Sequence, residues 1–265
     1  MTTGTLNTII GGLAGDALTE GSSNVAIGYG AMSSANGTES RNVAIGQFAL
    51  FALNDNGNNY NTAVVYNAGN SMTTGTENNL IGALAGDSLT TGTNNVAIGH
   101  SALGQETTGS FNTAIGHKSL ATLNVDGNGN NTAVGYRSGV AMTTGIQNTI
   151  IGSLAGDALT TGTRNIAIGY AALTVEDTGG RNIAIGRSAL QVLDAGQDGY
   201  NVAIGDDAGV SMTTGTKNII MGGRAGDALT TGNYNTAIGH EALSTEDTHS
   251  ANVAIGYQAL KTQNA

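Results

Sequence analysis

One short unit, Asn then Val, Thr or Ile then Ala-Ile-Gly, recurs with few variations fifteen times along 265 residues, and this leaves few folds open. The copies begin at Asn7, Asn24, Asn42, Asn61, Asn78, Asn95, Asn112, Asn131, Asn148, Asn165, Asn182, Asn201, Asn218, Asn235 and Asn252. Their spacing is 17–19 residues, and from Asn78 onward it runs 17, 17, 19, 17. Four units therefore make a super-repeat, and the single segment 1–265 divides into 7–77, 78–147, 148–217 and 218–265. A unit this short, β-branched and punctuated by Gly, Asn and Asp, cannot be a helical repeat. It suits one coil of an all-β parallel solenoid, with two short strands and two turns. Coils stacked about 4.8 Å apart place equal positions above one another, and about fifteen coils would form a rod on the order of 70 Å long.

The columns of such a stack carry distinct chemistry. Position one is Asn in all fifteen coils, which predicts an amide ladder through Asn24, Asn42, Asn95, Asn112, Asn165, Asn182, Asn235, Asn252 and their counterparts. Position four is Ile in twelve coils, Val64 and Val134 in two and Met221 in one, and reads as the buried column. Position three is Ala in eleven coils and Ile9, Leu80, Ile150 or Ile220 in the first coil of each super-repeat. By period-two alternation it faces away from position four. Position eight is small as well, with thirteen Ala and two Ser. Two columns of small residues on the outside of a thin coil predict other chains packed alongside. Position nine alternates between Gly (Gly15, Gly69, Gly86) and Leu or Met (Met32, Leu50, Leu103) within each super-repeat.

Composition narrows the function. Nineteen Asp and Glu against nine Lys and Arg give a net charge of −10, with no basic run. This argues against nucleic acid and against an anionic membrane surface. No apolar stretch is long enough for membrane insertion as a helix. With no cysteine, disulfides and thiol chemistry are excluded, and the absence of proline suits a stack that uses its amides for pairing.

No catalytic constellation is legible. The four histidines have neither a paired nucleophile nor metal spacing, so no catalytic residue, cofactor or metal is expected. Asp16, Asp87, Asp157 and Asp227 recur only every fourth coil, about 19 Å apart, and read as turn contacts to backbone amides. Position twelve is Leu or Met in ten coils but Glu at Glu106, Glu176 and Glu246, which predicts that these turns swing outward into water. The stretches 54–59, 124–130 and 194–199 read as surface loops without the carboxylate pattern of a calcium loop. At position six, Tyr29, His100, Tyr170 and His240 form a mixed column with Gln47, His117, Arg187 and Tyr257. It could stack on the sugars of a receptor or flank a seam between chains.

The motif Asn-Val-Ala-Ile-Gly-X-X-Ala-Leu at 42–50 and 252–260 resembles the head repeats of trimeric autotransporter adhesins, and similar motifs occur in bacteriophage tail-fibre proteins. The resemblance covers nearly the whole chain. It implies a left-handed parallel β-roll, a homotrimeric fibre, an extracellular location and attachment to a host-surface glycan or protein receptor. The expectation is a structural and adhesive, non-enzymatic segment of a phage tail fibre, with a bacterial surface adhesin head as the alternative. Met1–Asn7 aligns with Met72–Asn78 and the chain stops partway through a coil, so both ends read as cuts within a longer fibre. An ice-binding solenoid is the other alternative, since Thr-Thr-Gly recurs from Thr73 to Thr230, although the other coils interrupt it.

Overall fold

The computed structural model describes residues 3–35, 37–55, 57–245 and 247–261. The chain forms two compact units, 1–131 and 132–265. The first holds strands β1 (Thr8–Ile10), β2 (Val25–Ile27), β3 (Val43–Ile45), β4 (Thr62–Val64), β5 (Asn79–Ile81), β6 (Val96–Ile98) and β7 (Thr113–Ile115). The second holds β8 (Thr132–Val134), β9 (Thr149–Ile151), β10 (Ile166–Ile168), β11 (Ile183–Ile185), β12 (Val202–Ile204), β13 (Ile219–Met221), β14 (Thr236–Ile238) and β15 (Val253–Ile255). Within each unit successive strands pair in parallel and in chain order, with equal positions facing: Val96 opposite Thr113, Ile166 opposite Ile183. Both units are β-solenoids, and no helix occurs among the described residues.

Each coil contributes one strand of three residues, where two strands per coil were expected. The second wall is hydrogen-bonded without being a strand, because its residues alternate into left-handed conformations. Position seven does so at Leu84 (φ 59), Ser101 (φ 53) and Lys118 (φ 56), and position nine at Leu103 (φ 53) and Leu120 (φ 48). The alternation points amides up and down in turn. Ser101 donates its N–H to the Ala83 carbonyl of the coil before (3.0 Å), and Leu103 donates to the Ser119 carbonyl of the coil after (3.0 Å). Neighbouring coils are thus bonded along both walls, so this wall does not leave its backbone groups unmet.

The interior corrects the expected orientation of the columns. Position three points into the coil: Ala97, Ala114, Ala167 and Ala184 are fully buried, as are Leu80, Ile150 and Ile220. Position eight is inside as well, at Ala102, Ala172 and Ser119. Position four points out, and Ile45 and Ile81 are 37% and 39% exposed. The period-two alternation is present but in the opposite phase, because a coil this thin has no room for Ile on the strand opposite Leu on the far wall. Volume is shared across the interior instead. Where position nine is Leu or Met, position three is Ala. Where position three is large, position nine is Gly, and a Cβ on Gly86 would lie 2.9 Å from Leu80 Cδ2. In the fourth coil of each super-repeat both are small, and Met72, Met142 or Met212 at position twelve fills the space.

Candidate functional site

The amide column lies inside the coil wall and is fully or almost fully buried from Asn24 to Asn235. Within each unit the side-chain oxygen of one ladder residue accepts from the ladder residue of the next coil. In the first unit Asn24 donates its backbone N–H (2.8 Å) and its Nδ2 (3.2 Å) to Asn7 Oδ1, and Asn95 does the same to Asn78. The pattern continues at Asn42 and Asn112. The Nδ2 group also closes the last turn of its own coil, donating from Asn95 to the Gly109 carbonyl (2.9 Å), or that of the coil before, donating from Asn42 to the Ser40 carbonyl (3.1 Å). In the second unit Asn165 and Asn182 donate their backbone N–H to the Oδ1 of the preceding ladder residue, as do Asn235 and Asn252.

Glu106 and Glu176 are fully buried, contrary to the expected outward swing. Glu106 Oε1 accepts the amides of Gly109 (2.7 Å) and Thr107 (3.0 Å), while Oε2 accepts Val125 of the following coil (3.1 Å). Glu176 repeats this with Gly179 (2.7 Å) and Ala195 (3.2 Å). The coil after each is the 19-residue one, whose two extra residues disturb the stacking of turn on turn. The carboxylate takes up the amides that the longer loop leaves unmatched, which is why an acid replaces Leu there. Glu246 lies outside the described residues, as does Met1. The acidic oxygens of Glu176, Asp177 and Asp194 come within 4.8 Å of one another, but those of Glu176 are already engaged with backbone amides.

Burial pushes the Glu106 and Glu176 carboxyls above the usual range, against the downward pull of those amides. Burial likewise raises Asp87, Asp157 and Asp227. Asp227 pairs with Arg224 at 3.3 Å and keeps a buried Oδ1 without a hydrogen-bond partner. In all five the folded chain holds its proton more tightly than the unfolded one. Their contribution to stability therefore rises as pH falls through the raised folded values, and is complete below the unfolded values near 4. Glu241 acts oppositely: Lys261 and Gln258 hold it down to about 2, and its contribution is lost as pH falls from the unfolded value toward that point. The melting temperature, followed by circular dichroism, should be higher at pH 4.5 than at pH 7.5; a fall over that interval would contradict this assignment.

The position-six residues are on the surface. Tyr29 and Tyr170 are 51% and 56% exposed, and His100 and His240 are exposed as well. Tyr29 meets Phe48 edge-on at 5.5 Å between centroids, and Phe48 meets Phe51 in the same way at 5.4 Å. His100 stacks on His117 (5.4 Å, 14°) and His240 on Tyr257 (5.8 Å, 17°). Tyr170 lies one coil before Arg187, which bridges Asp206 (2.7 Å) and Asp207 (2.8 Å). The same column extends into the fourth coil of the super-repeat, where Tyr66 and Tyr136 are also exposed.

A second aromatic column precedes the ladder Asn. Arg41 lies over Tyr60 (5.3 Å), Arg181 over Tyr200 (5.2 Å) and Lys217 over Tyr234 (5.0 Å). Aligning the coils on their Asn would have exposed it in the sequence. Comparison with known protein families, curated proteins and solved structures finds no match.

Proposed function

We propose that this chain is a structural and adhesive segment of an extracellular fibre, in which three copies lie side by side as left-handed rolls. In this reading the fibre is a phage tail fibre that attaches to a glycan or protein on the host surface. The observation that carries it is the bare outer face of the sheets. All-parallel sheets are normally covered on both faces. Here one face is lined by the coil interior, while the other presents Ile27, Ile45, Ile81 and Ile98 in the first unit and Ile168, Ile185 and Ile204 in the second, all exposed or half-buried. Neighbouring copies of the same chain would cover these columns, with the position-six rings left at the rim to meet a receptor.

Covering one such Ile is worth up to about 2 kcal/mol, and a glutamate enclosed there without a partner costs more than that. Ile168→Glu with Ile185→Glu should turn a sedimenting trimer into a monomer with an unchanged circular dichroism spectrum, since neither side chain enters the coil. A monomeric wild-type chain would overturn the trimer, and a trimeric double variant would overturn this face as its seam. Tyr170→Ala with His240→Ala should leave the trimer intact and lose host-cell binding. Loss of the trimer instead would place these rings in the seam.

A further inference from the structure

His100 and His117 occupy position six of adjacent coils, side by side on the surface of the first unit. Their rings are nearly parallel, 14° apart, with centroids 5.4 Å from one another. The backbone beneath them is fixed. Each follows a glycine with positive φ, Gly99 (131°) and Gly116 (134°), and a Cβ on Gly99 would lie 2.5 Å from the Gly116 carbonyl oxygen, so the two coils are in close contact there. Lys118 donates its N–H to the His100 carbonyl at 3.0 Å, and Gly116 donates to Ile98 at 2.7 Å. His100 Nδ1 and the Ser101 hydroxyl lie 3.0 Å apart. With Nδ1–H donating to that hydroxyl, the Nε2 lone pair is left for a ligand, as in metal-binding histidines whose second nitrogen is held by a neighbour.

We propose that His100 and His117 form a two-imidazole site for a borderline divalent transition metal such as Ni²⁺, Cu²⁺ or Zn²⁺. A shared ion needs the two nitrogens within about 4 Å, since each metal–nitrogen distance is about 2 Å. With His100 held by Ser101, the exposed His117 side chain would supply the movement, turning about its Cα–Cβ and Cβ–Cγ bonds out of the stacked arrangement to bring a ring nitrogen toward His100 Nε2. Imidazole nitrogens suit these ions, while water completes the coordination sphere. The bound ion clips one coil to the next, and binding to the folded state alone stabilises it. This goes beyond the fibre reading and does not depend on the trimer.

The second unit contains an internal comparison: at the corresponding place His240 stacks on Tyr257, with one imidazole instead of two. Calorimetric titration of the full chain with nickel chloride should show one Ni²⁺ per chain. Because the second ligand acts intramolecularly, His117→Ala should weaken binding by about tenfold or more. Tyr257→His should add a second ion of similar affinity. Circular dichroism of each variant should match the wild type, since these side chains lie outside the coil. Unchanged affinity and stoichiometry in His117→Ala, or no nickel binding by the wild-type chain, would overturn the site.

Discussion

Gly205→Ala should unfold the second unit at a much lower urea concentration than the wild type, with a loss of about 4 kcal/mol or more, in the range reserved for a built-in clash. Gly205 directly follows β12 and has φ 141, a region that residues other than glycine rarely enter. A Cβ there would lie 2.5 Å from the Gly222 carbonyl oxygen, 2.6 Å from its carbon and 2.9 Å from Gly223 N. All three are backbone atoms of the next coil, so no rotamer change can make room. Relief would require the coils to separate where Gly222 donates to Ile204 and Val202 to Asn218, both at 2.8 Å. Gly196→Ala is the control. It also has positive φ, 62°, but nothing lies within 4 Å of its Cβ, and the cost should be only about 1 kcal/mol. Equal midpoints for the two variants would contradict the argument from coil contact.

Asn218→Asp should be nearly as damaging at neutral pH, and the damage should be reversible by acid. Asn218 Oδ1 accepts the Asn235 N–H at 2.9 Å, while Nδ2 donates to the Gly232 carbonyl (2.9 Å) and to Asn201 Oδ1 (3.2 Å). Aspartate keeps the acceptor and turns the donor into a second oxygen facing two others, buried and unpaired. Breaking such a buried network costs about 3 kcal/mol or more when a charge is left inside. Burial and those oxygens would raise the folded pKa of the new carboxyl. The variant should therefore regain stability relative to wild type as pH falls from 7 toward 4, where protonation restores a donor. Asn218→Leu, similar in volume but unable to protonate, should lose about as much at both pH values. The measurement is the urea midpoint of the three proteins at pH 7 and pH 4.5; parallel behaviour of Asp and Leu variants would refute the donor's role.

The coil length, the parallel stacking and the place of Asn at position one can all be read from spacing alone, because every copy repeats the same residue in the same place. The direction of the strand could not be read in this way. Val-Ala-Ile is apolar at all three positions, so alternation permits either face to be inside. The answer lies in the pairing of Leu80 with Gly86 and of Ala97 with Leu103 across the coil, a relation between two columns that neither column shows by itself. The second wall looks like a strand in the sequence because residues such as Leu84 and Leu103 give no sign of left-handed backbone. Their conformation is imposed by stacking, not by their own preference. The burial of Glu106 and Glu176 is hidden in the sequence for a third reason. Acids are usually outside, and only the amides of Val125 and Ala195 in the longer following loop account for their burial.

The ladder has a chemical consequence besides its strength. Asparagine ages by cyclisation, in which the amide nitrogen of the following residue attacks the side-chain carbonyl carbon and expels ammonia. In these coils the residue after the ladder Asn is β-branched everywhere except at Asn79, and branching crowds that attack. The attacking nitrogen is also committed elsewhere: Val25 donates it to the Asn42 carbonyl at 2.8 Å, and Val96 to that of Asn112 at 2.8 Å. A column built from one of the least durable side chains is thereby kept from deamidating by the hydrogen bonds that join its coils.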